Sequence, residues 1–89
     1  MTWTIEYNAA ARKSVEKLDR GVRKRIKRFL EERVAVLEDP RQISDALKGT
    51  ALGHLWRYRV GDYRVLCDIQ DNKLIVLVVD VDHRKQVYR

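Results

Sequence analysis

Apolar and polar residues alternate over 3–7, Trp3-Thr4-Ile5-Glu6-Tyr7, the period of a half-buried strand. Asn8 then offers an N-cap to a short helix over 9–18, with Ala11, Val15 and Leu18 on one face. Asp19 and Gly21 mark a break. Beyond it Val22, Ile26, Phe29, Leu30, Val34 and Leu37 form the stripe of a second, amphipathic helix. Asp39-Pro40 ends that helix, because the residue before a proline is driven from the helical region. The two read as an αα-hairpin. The pattern over 41–53 is weak, with one turn of helix expected near 44–47, and is read as a connecting loop. Three strand-like runs follow at 55–60, 63–69 and 74–81, separated by Gly61-Asp62 and Asp71-Asn72, each read as a two-residue hairpin turn. The expected class is α+β: an N-terminal strand, an αα-hairpin and a three-stranded antiparallel meander, in one twisted sheet packed on the helices, as a single domain over 1–89.

The turns set a register. With Gly61-Asp62 at the tip, Val60 faces Tyr63, Arg59 faces Arg64, Tyr58 faces Val65, Arg57 faces Leu66 and Trp56 faces Cys67. Alternation puts Trp56, Tyr58, Val60, Tyr63, Val65, Cys67 and Ile69 on a core face and Arg57, Arg59 and Arg64 on the other. Like charges opposed across a ladder destabilise it by about 0.2–1 kcal/mol, so a bound polyanion is one explanation for the arginines. Long side chains splayed into screened water are the other. Carried through Asp71-Asn72, the register brings Leu66 opposite Leu77, Asp68 opposite Ile75 and Arg64 opposite Val79. Leu66, Ile75, Leu77 and Val79 then form an apolar patch, to be covered by the C-terminal tail or offered to a partner protein. A one-residue bulge would undo that assignment.

Composition narrows the function. With 89 residues the chain buries only about 60–65% of its unfolded surface, which favours a surface site over a deep cavity. No apolar stretch approaches a membrane span and the N-terminus lacks the pattern of a signal peptide, so a cytoplasmic location is expected. Cys67 is the only cysteine and the two histidines, His54 and His83, have no metal-ligand spacing; neither a cofactor nor a metal is expected. Lys and Arg number 19 against 13 Asp and Glu, a net +6 that favours an anionic partner. Nine of the basic residues fall over 12–28, against only Glu16 and Asp19. Such a run is either a solvated helix face, with Lys27–Glu31 and Arg28–Glu32 pairs, or a footprint for nucleic acid in which Arg23, Lys24, Lys27 and Arg28 meet phosphates. Trp3 and Trp56 sit on apolar sides of their alternations and read as core, as does Cys67.

The order strand, two helices, Leu47-Lys48-Gly49, the hairpin Leu55-Trp56-Arg57-Tyr58-Arg59-Val60-Gly61-Asp62-Tyr63-Arg64 and the ending His83-Arg84-Lys85-Gln86-Val87-Tyr88 resembles the RelE/ParE superfamily of bacterial toxins, over essentially the whole chain. The chain looks more like the RelE branch, ribonucleases that enter the ribosomal A site, cut messenger RNA and are restrained by a cognate antitoxin. The resemblance implies catalytic roles for Arg57, Arg64, Arg84 and Tyr88; the charge pattern then offers Arg59 and the helical cations for RNA and the ribosome. It also implies an antitoxin, seated on the apolar patch in a hetero-oligomer. A lysine that some members carry on the first hairpin strand is Leu55 here. The ParE branch shares the fold and acts on DNA gyrase without cutting RNA; a non-catalytic binding module is a third reading.

Metal-free RNA cleavage needs a base for the ribose 2′-hydroxyl, charge stabilisation at phosphorus and an acid for the leaving 5′-oxygen. Guanidinium groups suit the middle task, which makes Arg57 and Arg64 phosphate clamps. A phenol with a pKa near 10 is a weak base, so Tyr88 either depends on neighbouring cations to favour its phenolate or stacks on a base. Arg84 is a sluggish acid. His83 is the residue type better matched to proton transfer, though a histidine in a surface tail is more often simply solvated.

Overall fold

The computed structural model describes residues 2–47 and 54–83. Strand β1 (Thr4–Tyr7) leads into α1 (Ala9–Glu16) and α2 (Arg20–Phe29); β2 (Asp45–Ala46), β3 (Trp56–Val60), β4 (Tyr63–Gln70) and β5 (Ile75–His83) complete one five-stranded sheet in the order β1-β5-β4-β3-β2. The expected α+β class is present, with two differences in arrangement. β1 pairs in parallel with β5, the last strand of the chain, and a two-residue edge strand β2 pairs antiparallel with β3. The helical turn expected near 44–47 lies earlier, as a 3-10 turn over Pro40–Ile43, where proline's fixed φ suits the first helical position.

Local chemistry accounts for the helices. Asn8 caps α1 by accepting from the Ala11 amide, and Asp19 caps α2 by accepting from Val22, so Asp19 starts the second helix and Gly21 lies inside its first turn. After Phe29 the helix widens into a π-turn over Leu30–Val34, which keeps Leu30 and Val34 buried and ends at Ala35. Both helices pack on one face of the sheet. Ile26, Leu30, Val34, Tyr58, Val65, Cys67, Val76 and Val78 are almost wholly buried between them. Trp3 is buried in the same core, its indole donating to the Glu38 carbonyl, and Trp56 packs against it under the Arg41 guanidinium. Burial pushes the Cys67 thiol pKa well up, as expected of a core residue.

The β3–β4 register is the one the turn predicts, from Val60 opposite Tyr63 to Trp56 opposite Cys67. Gly61 takes φ +60° at the first central position of the turn. The second hairpin departs from expectation. A two-residue type I′ turn needs positive φ twice and Asp71-Asn72 supplies no glycine; instead a 3-10 turn over Asp71–Lys73 is followed by Leu74 in the left-handed region at φ 54°. Gln70 therefore meets Ile75, and Asp68 meets Leu77 rather than Ile75. A bulge then inserts Val79, so that Leu66 meets Asp80 and Arg64 meets Asp82, where Leu77 and Val79 were expected. The bulge has a visible cause: Val78 and Val81 are both buried against the helices with two residues between them. Asp80 satisfies the local amide of Val81 and accepts from the Ser14 hydroxyl of α1.

Candidate anion site on the sheet

On the face away from the helices, β3 and β4 present Arg57, Arg59 and Arg64. Opposed side chains on such a face stand about 5 Å apart at Cβ and diagonal ones about 7–8 Å, which makes the three arginines neighbours, with Arg59 also lining a groove beside Phe29 and Arg33. The protein supplies counter-charge of its own. Asp45, opposite Arg57 in the β2–β3 ladder, accepts from the Arg57 guanidinium at 3.0 Å and approaches Nε of Arg59 at 3.6 Å through the same carboxylate oxygen. Asp82 faces Arg64 in the β4–β5 ladder, and Nη1 of Arg64 donates to the carbonyls of Tyr63 and Gly61. Arg57 and Arg64 thus each have an acidic residue opposite them on the neighbouring strand, Asp45 for Arg57 and Asp82 for Arg64. Arg57 is far more enclosed than Arg59, its side chain 11% exposed against 63%.

His83 is not part of this group. It faces Tyr63 across the β4–β5 ladder, the two rings edge to face at 5.5 Å, and Tyr63 packs on the core. Alternation puts Arg64 on the opposite face, so the sheet lies between His83 and Arg64. Arg84 and Tyr88 lie outside the described residues.

Most of the basic residues of the helices line two grooves. Arg23, Lys24 and Lys27, with Arg12 and Arg20, line one of about 520 Å³ between α1 and α2, floored by Tyr7, Val15 and Ile26. Burial, with Glu31 nearby, raises the Tyr7 phenol pKa, which keeps that floor neutral. Arg28 lines a second groove of about 370 Å³ with Arg25, Phe29, Arg33 and Arg59, between α2 and the β3–β4 hairpin. Of the helix pairs expected from spacing, Arg28–Glu32 is formed at 3.5 Å. Arg59 alone among these residues belongs both to a groove and to the sheet face.

The apolar patch is corrected by the register. Leu66 is 4% exposed and buried outside the main core cluster, as is Leu55, so it is no surface residue. Ile75 and Leu77 are half-buried, and Val79 is the bulge residue. The side chain that sequence reasoning missed is Asp45. Its position in a weakly patterned stretch hid it, and only the pairing of β2 with β3 brings it to the arginines. Among the described residues no group of three His, Cys, Asp or Glu is placed to hold a metal, and no helix is long and apolar enough to cross a membrane.

Comparison with known proteins bears on this arrangement. A family model described as the ParE toxin of the type II toxin–antitoxin system, parDE, matches residues 5–88. The mRNA interferase toxin RelE of Escherichia coli (strain K12) is 30% identical over 86 residues, covering 97% of this chain and 87% of its own. Among solved structures, the toxin–antitoxin complex RelBE2 of Mycobacterium tuberculosis is similar with a TM-score of 0.84 at 25% identity, over 94% of this chain and 93% of the other. A free-state mutant of the E. coli toxin RelE gives 0.76 at 27% identity, over 98% and 88%.

Proposed function

The chain belongs to the ParE toxin family of type II toxin–antitoxin systems, within the RelE/ParE superfamily, and on that premise we propose that it is a ribosome-dependent endoribonuclease that cleaves messenger RNA. The observation that carries this reading is the convergence of Arg57, Arg59 and Arg64 on one sheet face. The 30% identity to an mRNA interferase along nearly the whole chain supports it. In the reaction the ribose 2′-hydroxyl loses its proton and attacks the adjacent phosphorus; the bond to the 5′-oxygen breaks, that oxygen takes up a proton, and a 2′,3′-cyclic phosphate remains. Arg64 and Arg57 grip the non-bridging oxygens and stabilise the extra charge of the phosphorane, a task for which always-charged, bidentate guanidinium groups are suited. Arg84 and Tyr88 take their roles from the family resemblance: Tyr88 as base or stacking platform, Arg84 as a second cation at the leaving side. None of these is a well-matched proton donor or acceptor at neutral pH. The ribosome therefore contributes by fixing the RNA, since orientation alone lowers a barrier by several kcal/mol. The cations of α2, Arg23, Lys24, Lys27 and Arg28, supply sequence-independent attraction to ribosomal RNA.

An antitoxin holds the toxin inactive in this reading, as RelB partners RelE in the solved complexes of similar proteins. With Leu66 buried, its landing place shifts from the four-residue patch to Ile75, Leu77 and Val79, next to an arginine face that an acidic segment would neutralise. The test is to express the wild type and Arg64→Ala and map 5′ ends on cellular messages. In-frame cuts should appear with the wild type alone, and purified toxin should cut ribosome-bound message and leave free RNA intact; equal activity on both substrates overturns ribosome dependence. The family model itself favours a second reading, a ParE-like poison of DNA gyrase, which would inhibit supercoiling and leave messages uncut.

A further inference from the structure

We propose that Asp45 is the resident anion of the phosphate site: it occupies the place of a phosphodiester between Arg57 and Arg59, and RNA binds by exchanging with it. This deepens the nuclease reading and rests on it for the identity of the incoming anion. Three observations carry it. One oxygen, Oδ2, serves both guanidinium groups, at 3.0 Å from Arg57 and 3.6 Å from Arg59, as a shared phosphate oxygen would. The carboxylate is itself half in water, at 53% exposure, while Arg57 is nearly enclosed, so the acid is the mobile partner of the pair. It stands on a strand of only two residues at the sheet edge, Asp45–Ala46, so few ladder bonds oppose its withdrawal.

The exchange has two effects. Without an anion, Arg57 and Arg59 on one face would repel each other and Arg64 opposite; Asp45 keeps the pair gathered in the geometry that substrate needs. The same carboxylate competes with any phosphate, so weak, nonspecific RNA is excluded and only a strand held in place by other contacts displaces it.

The experiment measures binding of a short fluorescent 2′-O-methyl RNA, which cannot be cleaved, by anisotropy. The proteins are the wild type, Asp45→Asn, Asp45→Glu and, as a control for net charge, Glu6→Gln on β1 at the far edge of the sheet. Thermal melts establish that each is folded, and Asp45→Ser replaces Asp45→Asn if the latter is not. Asp45→Asn should bind about five- to tenfold more tightly than wild type, with a salt dependence steeper by about one ion. Asp45→Glu, which keeps the charge, should gain less than Asp45→Asn, and Glu6→Gln, away from the site, should stay within about twofold. Binding by Asp45→Asn that is unchanged or weaker, or an equal gain in Glu6→Gln, overturns the proposal and leaves the nuclease reading standing. Tighter binding without ribosome-dependent cleavage sinks the nuclease reading and leaves the exchange intact. No binding by any of the proteins at low salt overturns both.

Discussion

Arg64 is the residue on which the proposed chemistry turns. Its Nη1 donates to the carbonyls of Gly61 and Tyr63 at the adjoining turn, and its side chain stands on the sheet face away from the helices, so Arg64→Ala removes a charge from the site and little from the core. Loss of one charge-stabilising donor typically costs about 10²–10³ in rate, and cleavage should fall by that much while the melting temperature moves by no more than a few degrees. Tyr58 is its structural counterpart. It is fully buried, packs edge to face on Phe29 and donates to the Pro40 carbonyl at 2.6 Å, and burial drives its pKa up so that it remains a phenol. Tyr58→Phe removes that bond while the carbonyl keeps its place in the 3-10 turn, and should cost about 1 kcal/mol in urea denaturation, with RNA affinity unchanged.

At the scale of elements, the β3–β4 hairpin carries two of the three arginine-bearing positions on one strand and the third on the next, and its tip depends on Gly61. At φ +60° any β-carbon is strained, and one placed there would also stand 2.9 Å from Nη1 of Arg25. Gly61→Ala should therefore destabilise the protein by about 1–2 kcal/mol, measured by denaturant titration, and Gly61→Asn by less, because asparagine tolerates the left-handed region better. This hairpin was legible in advance: strict alternation and a glycine-containing two-residue turn leave one register. The β4–β5 hairpin was not. Its turn holds four residues and its strand a bulge at Val79, and both answer to what Leu74, Val78 and Val81 must pack against, which lies elsewhere in the chain. Asp45 was missed for the same reason, since two residues give no alternation to read.

Across the whole molecule, one ion-pair cluster ties the 3-10 turn at Pro40 to the β4–β5 turn. Arg41 donates to Asp71 at 2.6 and 3.0 Å and to Asp39 at 3.2 Å, and the Arg41 guanidinium holds the Asp71 carboxyl below its usual range. A carboxyl whose pKa is lower folded than unfolded stabilises the fold above its unfolded value, about 3.9, and that contribution is lost as pH falls through the folded value. Melting temperatures of wild type and Asp71→Asn should therefore differ near neutral pH and converge in acid below about pH 4. The net +6 acts on this same scale. Among the described residues many of its cations cluster on the sheet face and along two helix grooves, so the proposed association with a ribosome should weaken steeply with salt, whatever message is bound.

The sequence by itself determined the two helices with their caps, the core face of the sheet and the convergence of Arg57, Arg59 and Arg64, because each follows from periodicity and a turn closed within a few residues. The tertiary structure alone decided that β1 lies beside β5, that the bulge turns Asp80 and Asp82 toward Leu66 and Arg64, that His83 sits with Tyr63 on the core side, and that Asp45 reaches the arginines. These depend on contacts between segments far apart in the chain, where the buried surface of one element selects the register of another and no local pattern records the choice.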